Sequence, residues 1–203
     1  MKIICIGRNY IAHAKELKNP VPEKPVFFLK PDTALLPKKN PFFYPDFSKD
    51  VHYEAELVLK ICKNGRNIEK QFAHKYYDEI SIGIDFTARD LQADCKQKGL
   101  PWEIAKAFDQ SAPVGNFLSI TEFQNHNNIK FSLKINDEIK QEGNSGDMIF
   151  SFNEIIAYVS KFITLRQGDY IFTGTPKGVG PIKIGDHFKA FIEEKKLLAF
   201  NVR

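Results

Sequence analysis

The sequence predicts an α+β fold that is rich in β-strand and carries only a few short helices. Eighteen of the 203 residues are phenylalanine, and many stand in alternating or strand-like runs such as 188–192, which favours a β-rich core. Helix signals are sparse. The clearest is the capping box Ser151-Phe152-Asn153-Glu154, which opens a predicted helix through Leu165.

The N-terminal part is predicted to alternate short elements with loops. Lys2 to Ile6 is a predicted strand, and Ile11 to Leu17 is a predicted short helix. Three prolines in residues 19–25 exclude regular structure there, and a strand from Val26 to Lys30 follows. A helix-bearing segment that leads into a proline-rich connection is typical of a lid, so we predict that residues 8–25 cover a site.

The middle of the chain is predicted to hold two strands and a helix. Residues 51–59 are mostly apolar in their second half and follow no helix cap, so they read as one strand. Ile80 to Phe86 is a second strand. Thr87, with an acidic residue three positions on, predicts the start of a helix that runs to about Lys98 and is closed by Gly99.

The C-terminal third is predicted to consist of strands around one helix. Strands are predicted at 131–136, 139–141 and 170–173, followed by two more at the end of the chain. The segment Gly174–Pro181 is rich in glycine, which lets backbone N–H groups approach an anion closely. It lacks the residue order of a P-loop, so it is either a carboxylate-binding loop or a tight turn. We see no repeat and no domain-sized break, and we expect residues 1–203 to form one domain.

Two glutamates in the predicted strand 51–59 suggest a metal site. Glu54 and Glu56 are two residues apart, so their side chains point to the same face. Two like charges so placed repel, and a hard divalent cation with oxygen ligands would relieve that repulsion. The alternative is a solvated pair on an outer sheet face. Asp85 lies where a strand ends and a helix begins, a common position for a functional carboxylate.

Other charged residues suggest acid–base chemistry, each with a structural alternative. His13 and Glu16 share one helical face, which is the arrangement of a general base, or else an ordinary surface pair. Lys106 lies among apolar residues and either reaches solvent or meets an anion. Arg89 and Gln92 are three residues apart and share a helical face.

Composition excludes several classes of function. The net charge is +4 and the basic residues form no stripe, so nucleic-acid binding is not indicated. The three cysteines lack CxxC spacing, which argues against a disulfide framework or a thiolate zinc site, and no apolar run is long enough to span a membrane. We therefore expect a reducing, cytoplasmic location. A mildly basic site would suit a small anionic substrate, but net charge does not establish one.

Five motifs in a fixed order resemble the fumarylacetoacetate hydrolase superfamily, in particular its small acylpyruvate hydrolase and oxaloacetate decarboxylase branch. The resemblance covers nearly the whole chain. The motifs are Gly7-Arg8-Asn9-Tyr10-x-x-His13-x-x-Glu16, His52-x-Glu54-x-Glu56-Leu57, Gly83-x-Asp85-x-Thr87-Ala88-Arg89-Asp90-x-Gln92, Lys98-Gly99-Leu100-Pro101-Trp102, and Gly168-Asp169 to Gly180.

The resemblance implies the roles of individual residues. Glu54, Glu56 and Asp85 would bind one Mg²⁺ or Mn²⁺. The implied catalytic residues are Lys106, which contacts a substrate oxygen, and the pair that activates a water, His13 and Glu16. The implied substrate-binding residues are Arg8, Arg89, Gln92 and Thr175. Ser145 stands where relatives carry threonine, which leaves fine specificity open.

The resemblance also implies the fold and the reaction. The expected fold is a mixed β-sandwich roll, and the expected assembly is a homodimer. The expected activity is Mg²⁺-dependent cleavage of the C–C bond of acylpyruvates, such as acetylpyruvate or fumarylpyruvate, with oxaloacetate decarboxylation as a second reaction. The alternatives are an isomerase or tautomerase of 2-oxo acids, of the 2-hydroxyhepta-2,4-diene-1,7-dioate isomerase type, and a non-catalytic protein that binds a metal or an oxo acid.

Overall fold

The computed structural model describes residues 1–16 and 20–203, and most of its regular structure is β-strand. The predicted end of the first helix at Leu17, and residues 17–19 of the predicted lid, lie outside the described residues. Four α-helices are present in the described part of the chain: Ile11–Glu16 (α1), Arg89–Lys98 (α2), Glu103–Lys106 (α3) and Phe152–Val159 (α4).

The strands are short and spread along the whole chain. They are Ile3–Gly7 (β1), Val26–Lys30 (β2), Val51–Tyr53 (β3), Ala55–Ile61 (β4), Tyr77–Ile84 (β5), Thr87–Ala88 (β6), Leu118–Ser119 (β7), Lys130–Ile135 (β8), Glu138–Asn144 (β9), Tyr170–Phe172 (β10), Gly180–Pro181 (β11), His187–Ile192 (β12) and Lys195–Asn201 (β13). The predicted β-rich class with a few short helices is confirmed.

Three sheets build the fold. The largest has six strands in the order β2-β1-β10-β4-β5-β7, and it is mixed because β1 and β10 run parallel. A four-stranded antiparallel sheet has the order β13-β12-β8-β9, and a small sheet has the order β11-β3-β6. Contacts of β12 and β13 with β5 show that the four-stranded sheet packs on the large one, with the main core between them. In that core, Phe86 is fully buried and stacks on Phe42 with ring centroids 4.1 Å apart.

The segment 51–59 is not one strand, as the sequence predicted, but two strands in different sheets. Residues of β3 pair with β6 and β11, whereas β4 pairs with β5 and β10, so the chain changes sheets at Glu54. The alternation within β4 is as predicted, because Leu57 and Leu59 face the main core while Val58 packs with Phe172 in a second, smaller core.

The helices differ from prediction at their ends. The Ser151 capping box is present, but α4 ends at Val159 rather than Leu165, and Phe162 is exposed instead of buried. Thr87 does not cap α2; it belongs to β6, and its hydroxyl donates to the carbonyl oxygen of Asp85 at 3.4 Å. Gly99 closes α2 as predicted, with φ of 65°.

In residues 1–16 and 20–203, no helix is both long enough and apolar enough to cross a lipid bilayer.

Candidate active site

Strand pairing brings three carboxylates together. Glu54 lies at the break between β3 and β4, Glu56 lies on β4, and Asp85 directly follows β5. Because β4 and β5 are antiparallel neighbours, the backbone N–H of Asp85 donates to the carbonyl oxygen of Glu54 at 2.8 Å. All three side chains are buried, and each offers an oxygen within 4.8 Å of the other two. The solvated outer face that sequence left open for the glutamates is therefore wrong.

Two of the three carboxylates, Glu54 and Glu56, lie in opposite electrostatic environments. Burial, together with the charges of Asp85 and Glu54, raises the pKa of Glu56 well above its ordinary value, although the N–H of Gly174 donates to Glu56 Oε2 at 2.7 Å. Burial also disfavours charge on Glu54, but Lys106 and Arg89 outweigh it and hold the pKa of Glu54 well below its ordinary value. The cluster thus contains two ion-paired carboxylates, Glu54 and Asp85, and one, Glu56, that forms no ion pair among the described residues.

Lys106 meets anions and does not reach solvent. Its side chain, at the end of α3, is buried, and its Nζ lies 2.9 Å from Glu54 Oε2 and 2.7 Å from Asp85 Oδ2. Burial alone would lower its pKa, but the two carboxylates raise the pKa of Lys106 to about 12. The ammonium is therefore held in its charged form at neutral pH.

Lys30 contacts Asp85 from the opposite side. Its Nζ lies 2.7 Å from Asp85 Oδ1, but it donates its hydrogen bonds to the carbonyl oxygen and hydroxyl of Ser111, both at 2.9 Å, and to the carbonyl oxygen of Phe86 at 3.3 Å. Asp85 Oδ1 consequently accepts no aligned hydrogen bond, although it is buried. Such an acceptor is costly unless another cation binds it.

The site fits a hard divalent cation on two grounds. Asp85 Oδ1 is buried and accepts no aligned hydrogen bond, although the ammonium of Lys30 lies 2.7 Å away, and burial beside Asp85 and Glu54 raises the pKa of Glu56, so that a further positive charge at Glu56 would be favourable. The donors are all carboxylate oxygens, the ligand type that Mg²⁺ and Mn²⁺ prefer. Glu54, Glu56 and Asp85 would hold the ion.

His13 and Glu16 form a pair beside the metal cluster. The Nδ1 atom of His13 lies 3.2 Å from Glu16 Oε2, and His13 is buried. The other oxygen of Glu16 accepts a hydrogen bond from the N–H of Gly178 at 3.0 Å. The dyad is therefore anchored to the glycine-rich loop, with His13 buried and Glu16 exposed.

The glycine-rich loop binds carboxylates of the protein itself. Gly174 donates its N–H to Glu56, and Gly178 donates to Glu16. Gly174 has φ of 99°, and a Cβ there would lie 2.6 Å from the Cβ of Asn9, so only glycine fits. The predicted anion-binding role is realised by positioning the two glutamates.

A cavity of about 40 Å³ adjoins the carboxylates. Its lining combines the acidic cluster with cationic, polar and aromatic side chains. Nine of the ten predicted site residues line it, and they are Arg8, His13, Glu54, Glu56, Asp85, Arg89, Gln92, Lys106 and Thr175. The tenth, Glu16, lies behind His13. The structure thus brings the predicted site residues together, while their catalytic and binding roles stay predictions.

The predicted substrate-binding residues are held by direct contacts. Arg89 donates to Glu54 Oε1 at 2.7 Å and to Gln92 Oε1 at 2.8 Å, so the start of α2 is tied to the metal cluster. Thr175 accepts a hydrogen bond at Oγ1 from Gln141 at 2.9 Å. Ser145 does not line the cavity. Its hydroxyl donates a hydrogen bond to the backbone carbonyl oxygen of His126 at 2.7 Å.

Sequence reasoning missed three residues near the site. Lys30 was predicted only as the last residue of a strand, but it contacts Asp85. Lys96 of α2 lines the cavity and was not predicted there. Gln141 is buried on β9 and donates to Thr175 while its Oε1 accepts from the N–H of Ala55, between the two glutamates. No sequence signal marked Gln141, but the helical spacing of Lys96 from Arg89 could have marked Lys96.

The chain folds into a mixed six-stranded sheet and two antiparallel sheets, and it buries three carboxylates, which could hold a metal ion, beside a cavity that cationic side chains also line. The chain belongs to the fumarylacetoacetate hydrolase family, because residues 2–203 match the fumarylacetoacetate (FAA) hydrolase C-terminal family. The predicted resemblance is confirmed.

Named relatives point to enzymes of small oxo acids. The mitochondrial oxaloacetate tautomerase FAHD1 of Bos taurus is 44% identical over 200 residues, which are 98% of this chain and 90% of that protein. Oxaloacetate tautomerase YcgM of Escherichia coli (strain K12) is 42% identical over 186 residues, 91% of this chain and 85% of that protein. Because these relatives include mitochondrial and bacterial proteins, the expected cytoplasmic location stays a prediction.

A solved structure of similar fold contains a metal. Fumarylpyruvate hydrolase from Pseudomonas aeruginosa, in complex with Mn²⁺ and pyruvate, matches with a TM-score of 0.93 and 37% identity, covering 100% of this chain and 89% of that one. Oxaloacetate tautomerases and a fumarylpyruvate hydrolase are thus among the proteins that this chain resembles. The members of this family named here are enzymes, and they catalyse different reactions.

Proposed function

We propose that this chain catalyses the keto–enol tautomerisation of oxaloacetate or a similar short 2-oxo acid, with Mg²⁺, or Mn²⁺ in its place. The observation that carries the proposal is the buried cluster of Glu54, Glu56 and Asp85 facing a cavity that also presents Lys106 and His13. The identity of 44% to an oxaloacetate tautomerase over 98% of the chain supports the choice of substrate.

Each group of the chain has a defined task in such a reaction. The cation, when bound, supplies Lewis-acid polarisation of the oxygen on C2. Lys106 is charged, so it donates a hydrogen bond and stabilises negative charge at that oxygen rather than accepting its proton. Glu16 engages Nδ1 of His13, which leaves Nε2 to take the proton from C3 of the keto form or to return it to C3 of the enolate. The proton on the C2 oxygen of the enol form is exchanged with solvent water.

Substrate binding requires the roof of the cavity to move. A cavity of about 40 Å³ is far smaller than the clefts of roughly 300–1,000 Å³ that enclose small-molecule ligands. Arg8 and His13 line the cavity from the segment that we predicted to be a lid. Opening that segment would break the Glu16–Gly178 hydrogen bond and expose the carboxylates.

Hydrolysis of acylpyruvates is the second candidate. It is favoured by the His13–Glu16 dyad, since an imidazole oriented by a carboxylate can activate water for attack on the distal carbonyl carbon. A hydrolase of fumarylpyruvate has this fold at 37% identity. Decarboxylation of oxaloacetate needs no attacking water and would use Lys106 and the cation alone. A mere binding protein is disfavoured, because binding does not require the dyad.

The test compares three reactions in the presence of Mg²⁺. The enol form of oxaloacetate is followed by the loss of its ultraviolet absorbance, oxaloacetate decarboxylation by pyruvate formation, and acetylpyruvate hydrolysis by acetate formation. We expect the wild type to accelerate ketonisation most. His13→Ala should slow both tautomerisation and hydrolysis about 100-fold or more, as for loss of a general base, while decarboxylation largely persists.

The control is His74→Ala, which changes an exposed histidine outside the cavity and should leave all three rates unchanged. Acetylpyruvate turnover faster than ketonisation would favour the hydrolase. Equal losses of all three reactions in His13→Ala would contradict the role given to the dyad.

A further inference from the structure

The cavity carries more positive charge than its carboxylates neutralise. Four cationic side chains line it: Arg8, Arg89, Lys96 and Lys106. Lys106 and Arg89 are already paired with the carboxylates of the metal cluster. In the part of the chain that the structure describes, Arg8 and Lys96 form no ion pair. A bound divalent cation would add to this excess, so the cavity is suited to a ligand with more than one negative charge.

Three side chains of α2 line the cavity, and they follow one another along the helix from the end that contacts the metal cluster. Arg89, Gln92 and Lys96 lie at i, i+3 and i+7, so they share one face of the helix. Seven residues correspond to about 10 Å along the axis. Side chains on a helix lean toward its N-terminus, so the long side chain of Lys96 leans back toward Arg89 and the metal end. Lys96 can therefore reach the far end of a short substrate.

The surroundings of Lys96 disfavour its charge unless an anion is present. Lys96 is exposed overall, but desolvation of its covered part, and then the nearby charges of Arg89 and Arg8, lower the pKa of Lys96. Its Nζ lies 5.6 Å from the ring centroid of Trp102, which also lines the cavity. Arg8 has φ of 61°, a left-handed conformation uncommon for a residue other than glycine, and its side chain lines the same cavity.

We propose that Lys96 and Arg8 bind the distal carboxylate of the substrate, so that the site selects 2-oxo dicarboxylates over 2-oxo monocarboxylates. The inference rests on the proposed function, which places the C1 carboxylate and the oxygen on C2 at the metal cluster. The C4 carboxylate of a four-carbon acid then extends away from Glu54 and Asp85, whose charges repel it, toward the two cations that have no carboxylate partner. A neutral distal group gains nothing from those cations.

The test is Lys96→Ala, with Lys98→Ala as the matched control. Lys98 lies two residues further on the same helix, is exposed, and pairs with Asp94 at 2.7 Å outside the cavity. Both variants lose one lysine charge from α2. The substrates are oxaloacetate, which has a distal carboxylate, and phenylpyruvate, which has a neutral distal group.

We expect Lys96→Ala to raise KM for oxaloacetate about tenfold, as for one charge-assisted hydrogen bond at a partly exposed site, with little change in kcat. Turnover of phenylpyruvate and both reactions of Lys98→Ala should stay at the wild-type level. Lys96→Arg should restore KM, and Arg8→Gln should raise KM for oxaloacetate in the same selective way.

Equal effects of Lys96→Ala on both substrates, no effect on either, or an equal effect of Lys98→Ala would overturn the inference. Its failure is separable from failure of the proposed function. If the wild type turns over neither substrate, calorimetric titration with oxaloacetate and with pyruvate in Mg²⁺ still decides it. Tighter binding of oxaloacetate that Lys96→Ala abolishes would support the distal site, and equal affinities would refute it.

Discussion

Replacing Glu56 by glutamine should make the metal-free protein more stable while it destroys the metal site. Glutamine has the shape of a protonated glutamate and can still accept the hydrogen bond from the N–H of Gly174. Above the folded pKa of Glu56, it removes one of three negative charges that lie within 4.8 Å of one another. The same substitution therefore removes an unfavourable interaction from the empty site and a ligand from the occupied one.

The magnitude follows from the geometry of the cluster. Two unit charges 4.8 Å apart repel by about 3.5 kcal/mol at an effective dielectric constant of 20. Glu56 faces two such neighbours, but Lys106 and the Gly174 N–H offset part of the repulsion. We expect Glu56→Gln to raise the free energy of unfolding of the metal-free protein by about 1–3 kcal/mol at pH 8.

The gain should depend on pH with a definite sign. The pKa of Glu56 is raised in the folded state, so the folded protein holds a proton that the unfolded chain releases. Metal-free wild type therefore loses stability as pH rises above about 4.3, the unfolded value for glutamate, through the folded pKa. Glutamine does not titrate, so the advantage of Glu56→Gln should vanish at low pH and grow as pH rises.

The assay is urea unfolding in EDTA and in Mg²⁺, with the exposed substitution Glu142→Gln as control. At Mg²⁺ equal to 100 times Kd, the wild type should gain about 2.7 kcal/mol. A 100-fold loss of affinity in Glu56→Gln would reduce that gain to about 0.4 kcal/mol. A variant that is destabilised in EDTA at pH 8, or that gains as much from Mg²⁺ as the wild type, would refute the reasoning.

Three other predictions follow from the contacts around the site and from the family. Gln141→Leu removes the hydrogen bonds to Ala55 and Thr175, so the free energy of unfolding should fall by about 2 kcal/mol and calorimetry should show weaker Mg²⁺ binding. Ser151→Ala removes the capping box with Glu154 and should cost about 1 kcal/mol in the same unfolding assay while Mg²⁺ affinity is unchanged. The homodimer remains a prediction, and native mass spectrometry should give twice the chain mass of 23.3 kDa.

Sequence patterns within a few residues correctly predicted those elements that depend only on neighbouring residues. The strand Val26–Lys30 has the predicted bounds, and Gly99 ends α2, because side-chain pattern and backbone freedom decide both. The break at Glu54 could not be predicted in this way. It depends on which distant strands pair with β3 and with β4, and that information lies far along the chain.

In the site too, some features could be predicted from neighbouring residues and others depend on distant parts of the chain. Spacing placed Glu54 and Glu56 on one face, but only the packed fold shows that Lys30 reaches Asp85 and that Lys106 bridges two of the carboxylates. A β-bulge explains why Gln141 was missed. The register between β8 and β9 shifts at Leu133/Lys134, so Gln141 is buried while the apolar Ile139 is exposed, the reverse of what hydrophobicity predicts.

The most direct test of the central claim is anomalous diffraction from a crystal of this protein soaked in Mn²⁺. We expect one strong manganese peak within bonding distance of carboxylate oxygens of Glu54, Glu56 and Asp85. No peak there at saturating Mn²⁺, or a peak bound by other residues, would contradict it.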